Sequence, residues 1–223
     1  MPLASGDFTL QKAYNIIFIS VFISLWLAWS SGFYLMLTVI LSLLLGTGYS
    51  LPPFRWKRYY FWAAFCIIAV RGLIVNILLF LHFQCQLTGG EGLPGPILLL
   101  TSAMLVYSLI IAWFKDIPDM EGDAKFQIKT VSIRLGAEKV FRFGNILLGL
   151  TLLSLSLICY VWPLALNAKI MGTAHLGLLM ALYSVSREID LKEHSEVRNY
   201  YLFIWILFFA EYLIFGFAAG VGA

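Results

Sequence analysis

Seven uninterrupted apolar runs, near residues 13–31, 34–50, 61–83, 97–114, 141–162, 168–185 and 200–219, constrain this 223-residue chain more than any other feature. Each is 17–23 residues long, close to the ~20 that a helix needs to cross a hydrocarbon core of ~30 Å. The runs are continuous rather than alternating, which excludes a closed β-barrel. With 61% hydrophobic and 12% charged residues, the chain carries about half the charge of a soluble domain. The expected fold class is all-α: a polytopic transmembrane bundle forming one membrane domain over residues 1–223. The last run contains no lysine for a Schiff base, and no internal repeat or interrupted-helix pair appears, which argues against a retinal protein and a carrier.

The charges test the span count. If the N-terminus lies on a first face, loops 51–60, 115–140 and 186–199 share that face. Thirteen of the fifteen Lys and Arg residues then fall there, with Lys169 opposite and Arg71 inside a run. A count wrong by one would scatter them over both faces, so their clustering supports seven crossings and, by the positive-inside rule, assigns the first face to the cytoplasm or its equivalent. Trp56, Tyr59, Tyr60, Trp62, Tyr200 and Tyr201 are expected to form an interfacial aromatic belt there. Cys66, Cys85 and Cys159 stand singly, without metal-ligand spacing, and read as small core residues. The opening "MPLASGDFTLQK" has neither the basic start of a signal peptide nor the Arg/Ser-rich character of a transit peptide, so no targeting segment is expected.

Ten of the twelve acids also lie on the first face, and "FKDIPDMEGDAKFQIKT", residues 114–130, concentrates them. Asp116, Asp119 and Asp123 stand at i, i+3 and i+7, a spacing that gathers three carboxylates on one side if the segment is helical, against a repulsion of roughly 0.2–0.5 kcal/mol per pair. One reading is a solvated loop in which Lys115, Lys125 and Lys129 neutralise the aspartates. Another is a Mg²⁺ site, since this ion takes one or two carboxylates and keeps its other positions for water and phosphate oxygens. A calcium loop of the EF-hand type fails, because Gly122 precedes the third acid and the distant bidentate Glu is missing. "YSLPPFRWKR", residues 49–58, reaches the same face, and its Arg55, Lys57 and Arg58 suit either membrane anchoring or a diphosphate clamp. Together the two loops suggest a lipid-soluble diphosphate substrate held at the membrane edge.

The segments "PLASGDF" (2–8), "LGTGYSLPPFRWKR" (45–58), "VRGLIVN" (70–76), "FKDIPDMEGDAKFQIKTVSIRLG" (114–136) and "FIWILFFAEYL" (203–213) resemble the UbiA superfamily of intramembrane aromatic prenyltransferases. The nearest likeness is to the branch that moves phytyl to homogentisate in tocopherol biosynthesis. This resemblance implies Mg²⁺-dependent ionisation of an allylic prenyl diphosphate, phytyl diphosphate in that branch, followed by attack of an electron-rich ring such as homogentisate on the cation. It carries Asp119 and Asp123 over as metal ligands, with Asp116 supporting or ligating and with Lys115, Arg55, Lys57 and Arg58 as diphosphate contacts. It also implies a cyanobacterial or plastid membrane. Another acceptor or a solanesyl donor fits the same motif. Members of the family have nine helices and an earlier NQxxDxxID motif, upstream of where this chain opens. The expectation is therefore a chain lacking two helices and half the metal site, with little transferase activity alone.

Two charges lie inside the runs. Arg71 and Glu211 are each about eleven residues from the first face, roughly 16 Å deep and close to the midplane. A charge there is costly unless paired or hydrated. Either they pair directly or line one polar cavity, or each finds its own partner. Asn76 and His175 are expected to be interhelical hydrogen-bonding residues.

Overall fold

In lipid a backbone can satisfy its polar groups only within itself, so the apolar runs fold as helices. The computed structural model describes residues 9–120, 122, 130–162 and 164–220. Among these, α1 (Leu10–Ser31) and α2 (Phe33–Ser50) lead into a 3₁₀ turn, Trp56–Arg58. A single 29-residue span follows, built of α3 (Tyr60–Ile67), a π-helix (Ile68–Ile74) and α4 (Val75–Thr88). Then come α5 (Gly95–Lys115), a short α6 (Val131–Leu135), α7 (Ala137–Val161), α8 (Ala168–Ser186) and α9 (His194–Gly220). Seven of the helical spans among the described residues are long and apolar enough to cross a membrane. The third span continues past its apolar run through uncharged polar sequence to Thr88, while α7 and α9 begin within charged sequence, at Ala137 and His194.

Alternation of the spans is visible in the contacts at both ends. At the first end Arg134 Nη1 donates to Tyr60 Oη at 3.4 Å, joining α6 to the start of α3. At the opposite end Gln86 Nε2 donates to the Ser31 carbonyl at 3.1 Å, and the Asn167 amide to the Ala218 carbonyl at 2.9 Å. Side-chain oxygens cap three helices by accepting from free amides: Thr9 from Lys12, Thr130 from Ile133, and Asn167 from Lys169 and Ile170, each cap contributing about 1 kcal/mol.

α5 is the central helix. Met104, Tyr107, Ile110 and Phe114 are fully enclosed and pack with Leu148 and Leu152 of α7, Met171 of α8 and Ile204 of α9. On its other side the π-helix comes close because residue 72 is glycine: a Cβ there would stand 2.8 Å from Leu105 Cδ2 and 3.1 Å from Leu105 Cα. A π-helix leaves carbonyls without their usual i+4 partners. Asn76 serves two of them, its Nδ2 donating to Arg71 O at 2.9 Å and Gly72 O at 3.0 Å. Its Oδ1 accepts from Tyr212 Oη at 2.8 Å, tying the deviation to α9.

Candidate functional site

The basic loop is positioned by an aromatic wedge. Gly48 of α2 is buried, and the Trp56 indole lies where its side chain would be, with a hypothetical Cβ 2.6 Å from Trp56 Cζ3. Trp56 also stacks on Trp62 of α3, centroids 5.7 Å apart, and packs against Phe54. Arg55 enters the turn with φ of 40°, in the left-handed region. Its side chain is half-buried, whereas Lys57 and Arg58 are exposed.

Residues 116–119 interrupt the helix that the acidic spacing suggested, and Met120 and Gly122 beyond them are helical again. α5 ends at Lys115 with Asp116 as its C-cap, and residues 116–119 form turns in which Asp116 N donates to Trp113 O at 3.3 Å and Ile117 N to Phe114 O at 3.2 Å. Pro118 explains this, because its ring would clash with a helical Phe114 carbonyl and it biases Ile117 away from helix. Asp116 and Asp119 therefore sit on a turn beneath α5, one half-buried and one exposed. Asp123, Lys125 and Lys129 lie outside the described residues.

What anchors this turn is the residue before it. Phe114 stacks on Phe141 of α7 at 5.7 Å and meets Tyr200 of α9 at 5.9 Å. The Tyr200 hydroxyl donates to Asn145 Oδ1. Tyr200 is 2% exposed, so it belongs to the interior rather than to the expected interfacial belt. Gly144 admits Phe114: a Cβ there would lie 2.5 Å from Phe114 Cε1. α6 docks on the same end of α5 through Ser132 Oγ, which donates to Trp113 O at 3.3 Å. Arg134 thereby stands beside Tyr60 at the foot of the basic loop, a cation that spacing alone gave no reason to place in the site.

Among the described residues the one ion pair is His175–Glu211. Arg55, Lys57, Arg58 and Lys115 are thus not neutralised by a described acid. Two hard carboxylates at a bundle end are the complement that Mg²⁺ takes when phosphates fill its other positions. No three His, Cys or acidic side chains converge among the described residues. The donor set accordingly fits Mg²⁺ shared with a phosphate ligand.

The two intramembrane charges do not pair with each other. Glu211 Oε1 accepts from Tyr107 Oη at 2.9 Å, and its Oε2 lies 2.9 Å from His175 Nε2. Nδ1 of His175 is 2.6 Å from the Met171 carbonyl, which can only accept, so that nitrogen carries a proton. Opposite charge made Arg71 the obvious partner for Glu211, but a histidine and a tyrosine on adjacent helices already saturate it. Arg71 instead lays its guanidinium over the Trp205 ring, 4.4 Å from the centroid.

Comparison with known proteins follows from this geometry. A family profile described as the UbiA prenyltransferase family matches residues 1–207. Homogentisate phytyltransferase of Synechocystis sp. is 42% identical over 215 residues, covering 96% of this chain and 70% of that protein. Homogentisate phytyltransferase 1, chloroplastic, of Arabidopsis thaliana is 38% identical over 221 residues, covering 97% and 56%. Homogentisate solanesyltransferase of the same plant is 36% identical over 225 residues, covering 97% and 57%. The chain therefore spans a little over half the length of these plant relatives. A solved structure described as "Structural and mechanistic insights into the biosynthesis of Digeranylgeranylglyceryl phosphate synthase in membranes" superposes with a TM-score of 0.63 at 20% identity, over 98% of this chain and 73% of that one. At that identity the likeness is one of fold.

Proposed function

Because the chain belongs to the UbiA prenyltransferase family, we propose that it transfers a phytyl group from its allylic diphosphate to homogentisate, with Mg²⁺ held by Asp116, Asp119 and Asp123. What supports this reading is that the carboxylate turn and the basic turn lie at the same end of the bundle, where α6 links the end of α5 to the start of α3. Homogentisate as acceptor is supported by the names of the Synechocystis and Arabidopsis relatives, and phytyl as donor by the first two of them.

In this reading Arg55, Lys57, Arg58 and Lys115 grip the diphosphate oxygens, and the apolar tail descends between the helices. Bound Mg²⁺ supplies neutralisation of the charge that builds on the departing diphosphate. The allylic C–O bond breaks, the electron pair leaves with the diphosphate, and the acceptor ring forms a C–C bond to the cation. The ring gives up the displaced proton, the acceptor's carboxylate leaves as CO2, and the benzylic carbon that it leaves takes up a proton to become a methyl group. Fixed guanidinium and ammonium groups stabilise the departing charge without reorganising. The basic end lies on the cytoplasmic or stromal side of a cyanobacterial or plastid membrane.

Membranes containing the protein extended upstream through the first acidic motif of the family, supplied with Mg²⁺, phytyl diphosphate and homogentisate, should yield prenylated product, and chelation should abolish it. Asp119→Asn and Asp123→Asn should each lower turnover by about 100-fold or more at unchanged membrane insertion. Full turnover in both variants would overturn the metal assignment, and absence of product from the parent protein would overturn the function.

A further inference from the structure

Arg71 is a deep charge that the chemistry above does not use. It cannot shed its proton, it lies within the π-helix, and its Nη1 is buried without a hydrogen-bond partner. Several acceptors on the same helix and on the helices packed with it are already engaged. Asn76 Oδ1 takes the Tyr212 hydroxyl, the Arg71 and Gly72 carbonyls take Asn76 Nδ2, and both oxygens of Glu211 are held by Tyr107 and His175. Trp205 supports one face of the guanidinium but accepts no in-plane hydrogen bond. The residue as a whole is partly exposed although Nη1 is enclosed. A charged, forked donor that is braced below and unmet at its edge is complementary to a carboxylate.

We propose that Arg71 is the anchor for the carboxylate of the aromatic acceptor, with Trp205 as the rigid platform that aims it. This rests on the transferase reading given above and adds the residue that selects a carboxylate-bearing ring. The depth is consistent. Arg71 lies eleven residues beyond Tyr60, roughly 16 Å along the helix, and its side chain tilts back toward the helix N-terminus, which is the end carrying the basic turn. Anchoring precedes loss of the carboxylate, so Arg71 acts on acceptor affinity.

The test is calorimetric titration of the purified protein with homogentisate and with its methyl ester, without donor or metal. The parent protein should bind homogentisate and lose about 100-fold in affinity for the ester, as Arg71→Gln should for homogentisate, the scale expected when one member of a desolvated charge pair is removed. Arg71→Lys should recover part of it. Equal binding of acid and ester by the parent overturns the proposal without recourse to any variant, as does unchanged binding by Arg71→Gln. These arms involve no turnover. Missing product in the complete assay alongside the expected binding would sink the transferase reading and leave the anion site standing.

Discussion

A single carboxylate organises the interior of this bundle. Glu211 is fully buried, and its two oxygens satisfy a phenol on α5 and an imidazole on α8. Glu211→Ala should strand both partners. An unsatisfied buried group costs about 1–3 kcal/mol in a water-soluble protein, but interhelical hydrogen bonds in membranes average only ~0.6 kcal/mol because the unfolded reference also finds partners. The membrane value should govern, giving a loss of roughly 1–2 kcal/mol, with Glu211→Gln costing less; unfolding in mixed detergent micelles measures both. A double-mutant cycle with His175→Ala should show strong non-additivity, and additive losses would mean the two side chains are merely neighbours. Asp119 gives the opposite contrast: it is exposed, so Asp119→Asn should leave the unfolding transition within ~0.5 kcal/mol of the parent while activity falls.

Between elements, glycines set the separations that bring the two turns of the site together. Gly48→Val should displace Trp56 and carry Arg55, Lys57 and Arg58 with it. Affinity for inorganic diphosphate should fall while helix content by circular dichroism stays constant, and unchanged affinity would detach the basic turn from the site. Much of the element order was legible: continuous apolar runs can only be helices in lipid, and the one-sided cations fixed their number. The path of the acidic segment was not, because three aspartates at helical spacing outweighed Pro118 in the reading, although it is the proline that decides local geometry. The partner of Glu211 was equally hidden. Sign complementarity pointed to Arg71, whereas helix rotation placed His175 and Tyr107 within reach, and rotation leaves little trace in a helix that is apolar on all sides. The π-helix was invisible for the same reason, since its residues are those of any membrane span.

For the whole molecule, seven crossings require that a tag at residue 125 and one at residue 90 be reached by impermeant reagents from opposite sides of the membrane; finding both on one side would break the topology. The span from Tyr60 to Thr88 carries a further consequence. Its π-helix closes i→i+5 turns, as in the Val75 amide donating to Val70 O, and so absorbs one residue more than a regular helix would. It therefore acts as a phase shift of about 100° between the two halves of the span. Arg71 meets Trp205 and Asn76 meets Tyr212, both on α9, only with that offset in place. A regular helix of unchanged length would cross the bilayer equally well but with one half rotated so that either the arginine or the asparagine turns away from α9, whereas deleting Ala69 would remove the extra residue and leave the two halves of the span in their present phase.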